Sequence, residues 1–270
     1  LARLEDDPGS LRNSSVLGMA PSADGGIWMV GSHSALDRLR PSTGEVEHHL
    51  SPVDGNNWVL DVVEDPRGQV WIGSRSALLR YTPATRAVRR WEPGQARDAA
   101  LPGPVDAMAV CDQHLWVYTE VGGLQQRDLD GGVTRSIPFG EGGLGSDQRV
   151  SVIRCGLDGQ PWLATSTGLA RWVPGSDRFE PVRGVAPEAI HTLQVSRAGI
   201  VWLSLMGRLE QYVWKDDRLQ LVDRVDASRG YPGVAAGGLE VDANGVAWAS
   251  SARGLIRVDP ANRAVRLYGV

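Results

Sequence analysis

Six tryptophans stand in near-identical contexts along the chain and dictate the reading of everything around them. They are Trp28 in GGIWMVGS, Trp71 in GQVWIGSR, Trp116 in QHLWVYTE, Trp162 in GQPWLATS, Trp202 in GIVWLSLM and Trp248 in GVAWASSA. Successive spacings are 43, 45, 46, 40 and 46 residues. A period of this length with strand-like content is the signature of propeller blades.

Each period reads as four strands. An apolar-rich run comes first, as in Trp58–Val63 or Val150–Ile153. A turn follows, ADGG at 23–26, DPRG at 65–68, LDG at 157–159 and DANG at 242–245. Asp, Asn and Gly suit these turns because they tolerate positive φ or hydrogen-bond their own backbone. The Trp strand comes next. Two residues further, on the same face, stand Val30, Gly73, Tyr118, Ala164, Ser204 and Ser250, most of them small enough to leave room for an indole. A third strand begins near Leu36, Leu78, Leu124, Leu169, Leu209 and Leu255, and a short alternating strand closes the unit. No long helical period interrupts this pattern.

The expected fold is all-β: six complete four-stranded antiparallel blades of a β-propeller, over approximately 11–52, 53–94, 102–140, 146–184, 187–225 and 230–270. Residues 1–10 read as the end of a preceding blade. With no initiator Met, the chain reads as a piece of a larger, about seven-bladed propeller. A single blade has two apolar faces and needs neighbours on both. Burying one Trp contributes roughly 4–6 kcal/mol of gross driving force, as an upper figure. All six repeat Trp are therefore expected between blades.

Composition excludes several functions. The chain has 270 residues and a net charge of −4, so there is no basic footprint for nucleic acid. No apolar stretch is long enough to cross a membrane. There is no phosphate loop and no zinc spacing, and no cofactor is expected. His48-His49 is the most ligand-like pair, but successive strand residues point to opposite faces. Cys111 and Cys155 read as buried free thiols. Glu5-Asp6-Asp7 reads as a solvated tail. Arg38, Arg80, Arg171 and Arg257 recur at one blade position, which points to a repeated polar contact.

The repeat D-x-x-G-x-ϕ-W-ϕ-G/A-S/T, then G/A-L-x-R-ϕ, resembles the two-component regulator propeller repeat. DPRGQVWIGSRSALLRYTPATRAVRRW and DANGVAWASSARGLIRVDPANRAVRLY carry the resemblance most fully. The blades at 112–139 and 196–223 depart from it, with Asp112-Gln113-His114 replacing the Asp-Gly turn and Met206-Gly207-Arg208 replacing the approach to the third strand. The resemblance implies a periplasmic sensor domain of a bacterial signal-transduction receptor, whose kinase or cyclase output module lies outside this chain. It implies no catalysis here. The expected partner is a periplasmic small molecule or oligosaccharide, with homodimerisation as a second route of signalling. Two alternatives stay open, a protein-interaction scaffold and a propeller lyase of the streptogramin lyase type. The lyase would need a catalytic His and magnesium near the channel mouth, where His191 and Glu120 are the candidates.

By analogy with other propellers, ligands meet the loops between blades and between second and third strands. The candidate ligand-binding residues there are Asn57, Trp58, Arg75, Glu120, Arg149, His191, Tyr231 and Arg253. Their mixture of aromatic, basic and amide groups suits a polar or anionic ligand or a sugar. An exposed apolar patch around Trp58 and Tyr231 would instead favour the scaffold.

Overall fold

The structure is a computed structural model that describes residues 9–13, 15–53, 58–94, 100–196, 198–262 and 264–269. The segment Glu5-Asp6-Asp7 lies outside them. The described residues form two compact units, 1–139 and 140–270. Each contains three four-stranded antiparallel sheets, each sheet with its strands in chain order. The six expected blades are all present.

In the first unit, blade 1 is β1 (Val16–Pro21), β2 (Ile27–Gly31), β3 (Leu36–Arg40) and β4 (Glu45–Leu50). Blade 2 is β5 (Val59–Glu64), β6 (Val70–Ser74), β7 (Leu78–Thr82) and β8 (Ala87–Trp91). Blade 3 is β9 (Ala107–Cys111), β10 (His114–Thr119), β11 (Gly123–Arg127) and β12 (Val133–Ile137). The second unit holds blade 4, with β13 (Val150–Cys155), β14 (Pro161–Thr165), β15 (Gly168–Val173) and β16 (Arg178–Pro181). Blade 5 follows with β17 (Thr192–Val195), β18 (Ile200–Leu205), β19 (Arg208–Lys215) and β20 (Arg218–Val225). Blade 6 has β21 (Ala236–Val241), β22 (Ala247–Ser251), β23 (Gly254–Asp259) and β24 (Ala264–Tyr268). The one helical segment among the described residues is a 3-10 turn, Ala227–Arg229.

The Trp do the packing the repeat implies. Trp28 sits in a core with Val59, Val62, Val70, Ile72 and Tyr81 of blade 2. Trp71 packs with Val105, Met108, Leu115 and Val117 of blade 3. Trp162 packs into blade 5 and Trp202 into blade 6. Each of these four, and Trp116, is at most 1% exposed. Gly73 shows how closely the sheets approach: a Cβ there would stand 2.5 Å from Val105 Cγ1.

Trp248 departs from the expectation. It is half-buried, and the cover it has comes from its own sheet. Tyr268 stacks on it with ring centroids 6.1 Å apart, and the Arg257 guanidinium lies 5.8 Å from the ring. The recurrent arginines are explained by similar stacking. Arg38 lies over Trp28 at 5.0 Å, Arg80 over Trp71 at 5.6 Å and Arg171 over Trp214 at 5.0 Å. Arg80 also donates to Leu129 O in blade 3, and Arg171 to Asp217 in blade 5, so both clasp the neighbouring sheet.

The cysteine reading is corrected. Cys111 and Cys155, the last residues of β9 and β13, are both disulfide-bonded, and neither is a free thiol. His48 and His49 diverge as successive strand residues must. His48 Nδ1 meets Asp37 at 2.8 Å, while His49 Nδ1 meets the Tyr81 hydroxyl at 3.0 Å. Among the described residues no helix is long and apolar enough to cross a membrane.

Candidate functional site

The residue immediately before each first strand stands at one end of its blade. Trp58 and Asp106 hold this position in blades 2 and 3. The backbone fixes them there. Arg75 N–H donates to Trp58 O at 3.4 Å, and Asp106 N–H donates to Tyr118 O at 3.0 Å. These bonds tie the strand entrance to the turn between second and third strands, which carries Arg75 in blade 2 and Glu120 in blade 3. A register shift between Val59 and Asp61 bulges β5 just beyond Trp58. Bulges of this kind re-aim neighbouring side chains.

Four side chains of the first unit lie near one another here. The Trp58 indole is 50% exposed. The Arg75 guanidinium lies over it, 5.5 Å from the ring centroid. Asp106 accepts the Glu120 N–H at 2.9 Å. Burial holds the Asp106 carboxyl above the usual carboxylate range, and the nearby Glu120 charge pushes the same way. The Glu120 N–H and the Arg75 charge pull against this shift without cancelling it. Val121 stands 70% exposed at the tip of the same turn. The cluster offers a flat aromatic face, one cation, and two carboxylates of which one is costly to ionise.

Of the eight sequence candidates, the structure brings together Trp58, Arg75 and Glu120. Asn57 lies outside the described residues. Arg149 and His191 occupy the equivalent entrances in the second unit. Ser166 N–H donates to Arg149 O, and His191 N–H donates to Ser204 O. Arg149 is exposed and His191 half-buried. Arg253 is exposed on the turn of blade 6, its N–H donating to Ser251 Oγ at 3.2 Å.

Tyr231 differs from expectation. It is 2% exposed and packs with Trp202, Leu209, Val225 and Leu239 in the core between blades 5 and 6. The loop folds it inward, with Tyr231 N–H donating to Asp226 O. It presents no surface to a ligand. Asp106 is the member the sequence reading missed. Its signal was register, since it precedes Ala107 as Trp58 precedes Val59.

Among the described residues no group of three or more His, Cys, Asp or Glu is placed to hold a metal ion.

Residues 54–76 match the family model described as two component regulator propeller. No curated protein matches the chain in sequence. Several solved structures share the fold. A streptogramin B lyase matches with a TM-score of 0.73 at 14% identity, over 97% of this chain and 85% of that one. Virginiamycin B lyase from Staphylococcus aureus matches with a TM-score of 0.70 at 13% identity, over 94% and 84%. The extracellular domain of a putative hybrid two component system from B. thetaiotaomicron matches at 0.52 and 16% identity, over 98% of this chain and 50% of that one. The chain thus spans half the length of that receptor domain. At these identities the likeness is one of fold. The match at 54–76 contains both Trp58 and Arg75, so the segment that presents the aromatic face of the candidate site is the one similar to the two component regulator propeller.

Proposed function

We propose that the chain is a non-catalytic, extracytoplasmic sensor propeller of a bacterial signal-transduction receptor, and that it binds a polar small molecule or oligosaccharide at Trp58, Arg75, Asp106 and Glu120. One observation carries the reading. Trp58 is a half-exposed aromatic at a blade entrance, with the Arg75 guanidinium over it and the Asp106 carboxylate near that guanidinium. Trp28, Trp71, Trp91, Trp162 and Trp202 are by contrast explained by the cores they fill. An indole face suits the C–H face of a sugar ring, while Arg75, Asp106 and Glu120 supply donors and acceptors for hydroxyls. The regulator-repeat match and the receptor domain of shared fold support the sensing role. The disulfide-bonded cysteines support an oxidising compartment. Signalling would follow from different ligand affinities in two receptor states.

The test is a heat-stability screen of the wild type and Trp58→Ala against oligosaccharides and small anions. An oligosaccharide should raise the melting temperature of the wild type and leave Trp58→Ala unmoved. A screen with no stabilising compound, and no ligand-dependent dimer by sedimentation, would reject the reading.

The shared fold with two lyases keeps an enzymatic alternative in view. Its candidate base is His191. Turnover of a cyclic lactone that disappears in His191→Ala would establish it.

A further inference from the structure

The residue paired with the repeat Trp on each first strand provides a second, independent observation. In blades 1, 2 and 3 this residue is apolar: Ala20, Val63 and Ala109. In blades 4, 5 and 6 it is polar: Arg154, Gln194 and Glu240. We propose that Arg154, Gln194 and Glu240 form a binding site for a small zwitterion, an amino acid or dipeptide, with its carboxylate on Arg154 and its ammonium on Glu240.

Three facts lead there. First, blade packing does not require polarity at this position, because three blades fill it with Ala or Val. A local break in a repeat's packing rule is expected at a functional or a strained site. Second, the three residues belong to one assembly. β13 lies against β17, and β17 against β21. Gln194 Nε2 donates to Glu240 Oε2 at 2.6 Å. Third, the charges are only partly compensated: burial makes Glu240 costly to ionise, and the Arg154 charge opposes this through space without cancelling it. Among the described residues no ion pair joins Arg154 to Glu240. Among the described residues Arg154 makes one hydrogen bond, from Nη1 to Ile153 O at 3.0 Å, and no bond to the second Glu240 oxygen is seen. Gln194 holds the first oxygen in place and carries no charge.

A ligand with one charge would satisfy only one end of this row. A zwitterion satisfies both, with a bidentate guanidinium–carboxylate contact at one end and an ammonium–carboxylate contact at the other. Arg154 and Gln194 are half-buried and Glu240 is open to solvent, so one end of the row is accessible and the other is sheltered. This site is distinct from the Trp58 cluster and does not depend on it.

The experiment measures melting temperature and calorimetric affinity of the whole chain with L-alanine and L-alanyl-L-alanine. Acetate and methylammonium serve as single-charge controls. At least one zwitterion should stabilise the wild type more than either control at equal concentration. Glu240→Gln and Arg154→Gln should each weaken its binding by about tenfold or more. Arg154→Lys, which keeps the charge but not the fork, should fall between. Trp58→Ala should bind as the wild type does. No stabilisation by either zwitterion would overturn the proposal, as would equal stabilisation by the controls. Undiminished binding in Glu240→Gln, or loss of binding in Trp58→Ala, would also overturn it.

Discussion

Trp71 Nε1 donates to Asp65 Oδ2 at 2.9 Å, six residues back along the chain, and Asp65 is 3% exposed. The same carboxylate accepts the N–H groups of Arg67 and Gln69 at 2.8 and 3.0 Å. One side chain thus closes the turn and satisfies a buried indole. Asp242 does both for Trp248 in blade 6. In blade 5 Ser196 holds that place, its carbonyl accepting from Gly199 and its N–H donating to Ile200 O, and among the described residues the buried Trp202 Nε1 meets no acceptor.

Asp65→Ala should therefore cost about 3 kcal/mol, since it strands a buried indole N–H and two turn amides. Ser196→Asp should stabilise by about 1 kcal/mol by supplying the missing acceptor to Trp202. Gly156→Ala is the contrasting case. Its Cβ would stand 2.0 Å from Trp162 Nε1, so it should destabilise. Chemical denaturation of the three variants checks all of these signs together.

Asp106 is destabilising where it is charged. Its folded pKa lies above the unfolded value, first because of burial and then because of Glu120. The folded state then holds the proton more tightly, and stability falls as pH rises from the unfolded pKa of about 3.8 through the folded one. Asp106→Asn keeps an acceptor for the Glu120 N–H. It should be more stable than the wild type at neutral pH, with the gain vanishing in acid. The same variant should bind the proposed ligand more weakly, a trade expected of a functional group. Melting curves at several pH values, with and without the stabilising compound, measure both.

Glu210 behaves in the opposite sense. Its side chain is 2% exposed. Burial pushes its pKa up, but Tyr212, Arg208 and Arg224 together hold it below the usual value. The Tyr212 hydroxyl donates to it at 2.6 Å, and Arg208 and Arg224 each donate through Nε at 2.9 Å. Its contribution is present above the unfolded pKa of about 4.5 and is lost as pH falls through the folded one. Glu210→Gln should cost roughly 3 kcal/mol near neutrality, because it leaves two arginines without their shared partner. The wild type and variant curves should converge on acidification.

The turn of blade 3 is strained where its repeat is degenerate. Asp112 and Gln113 adopt φ of 47° and 61°, the left-handed pair of a tight hairpin, without a glycine. Gln113→Gly should relieve about 1 kcal/mol and raise the melting temperature. A lowered melting temperature would mean that the side chain has an unrecognised stabilising contact.

The blades were legible because packing repeats. Each Trp needs a small or apolar neighbour and a tight turn at fixed offsets, so one period reports six sheets. The site was only partly legible, because function departs from the repeat. Trp58 and Arg75 could be named from their loops, but their stacking is a contact between two loops that no sequence spacing fixes. Asp106 was hidden behind the long 93–104 connection, which obscured where β9 begins. Tyr231 was misplaced because β21 starts five residues later, at Ala236, leaving the tyrosine to a loop that folds into the core. The row of Arg154, Gln194 and Glu240 stands eight residues before each Trp, yet it carries meaning only beside the apolar counterparts in the other blades.

The half-covered Trp248 has a consequence for cooperativity. In a repeat assembly each blade is held by coupling to its neighbours, and a half-exposed indole contributes less of that coupling than the buried Trp162 and Trp202 do. Opening should then begin in blade 6 and spread to blade 5. Backbone amides of β23 and β24 should exchange with solvent sooner than those of β18 and β19, by a sub-global event that leaves blades 4 and 5 intact. The second unit would thus lose order as a gradient and not in a single step.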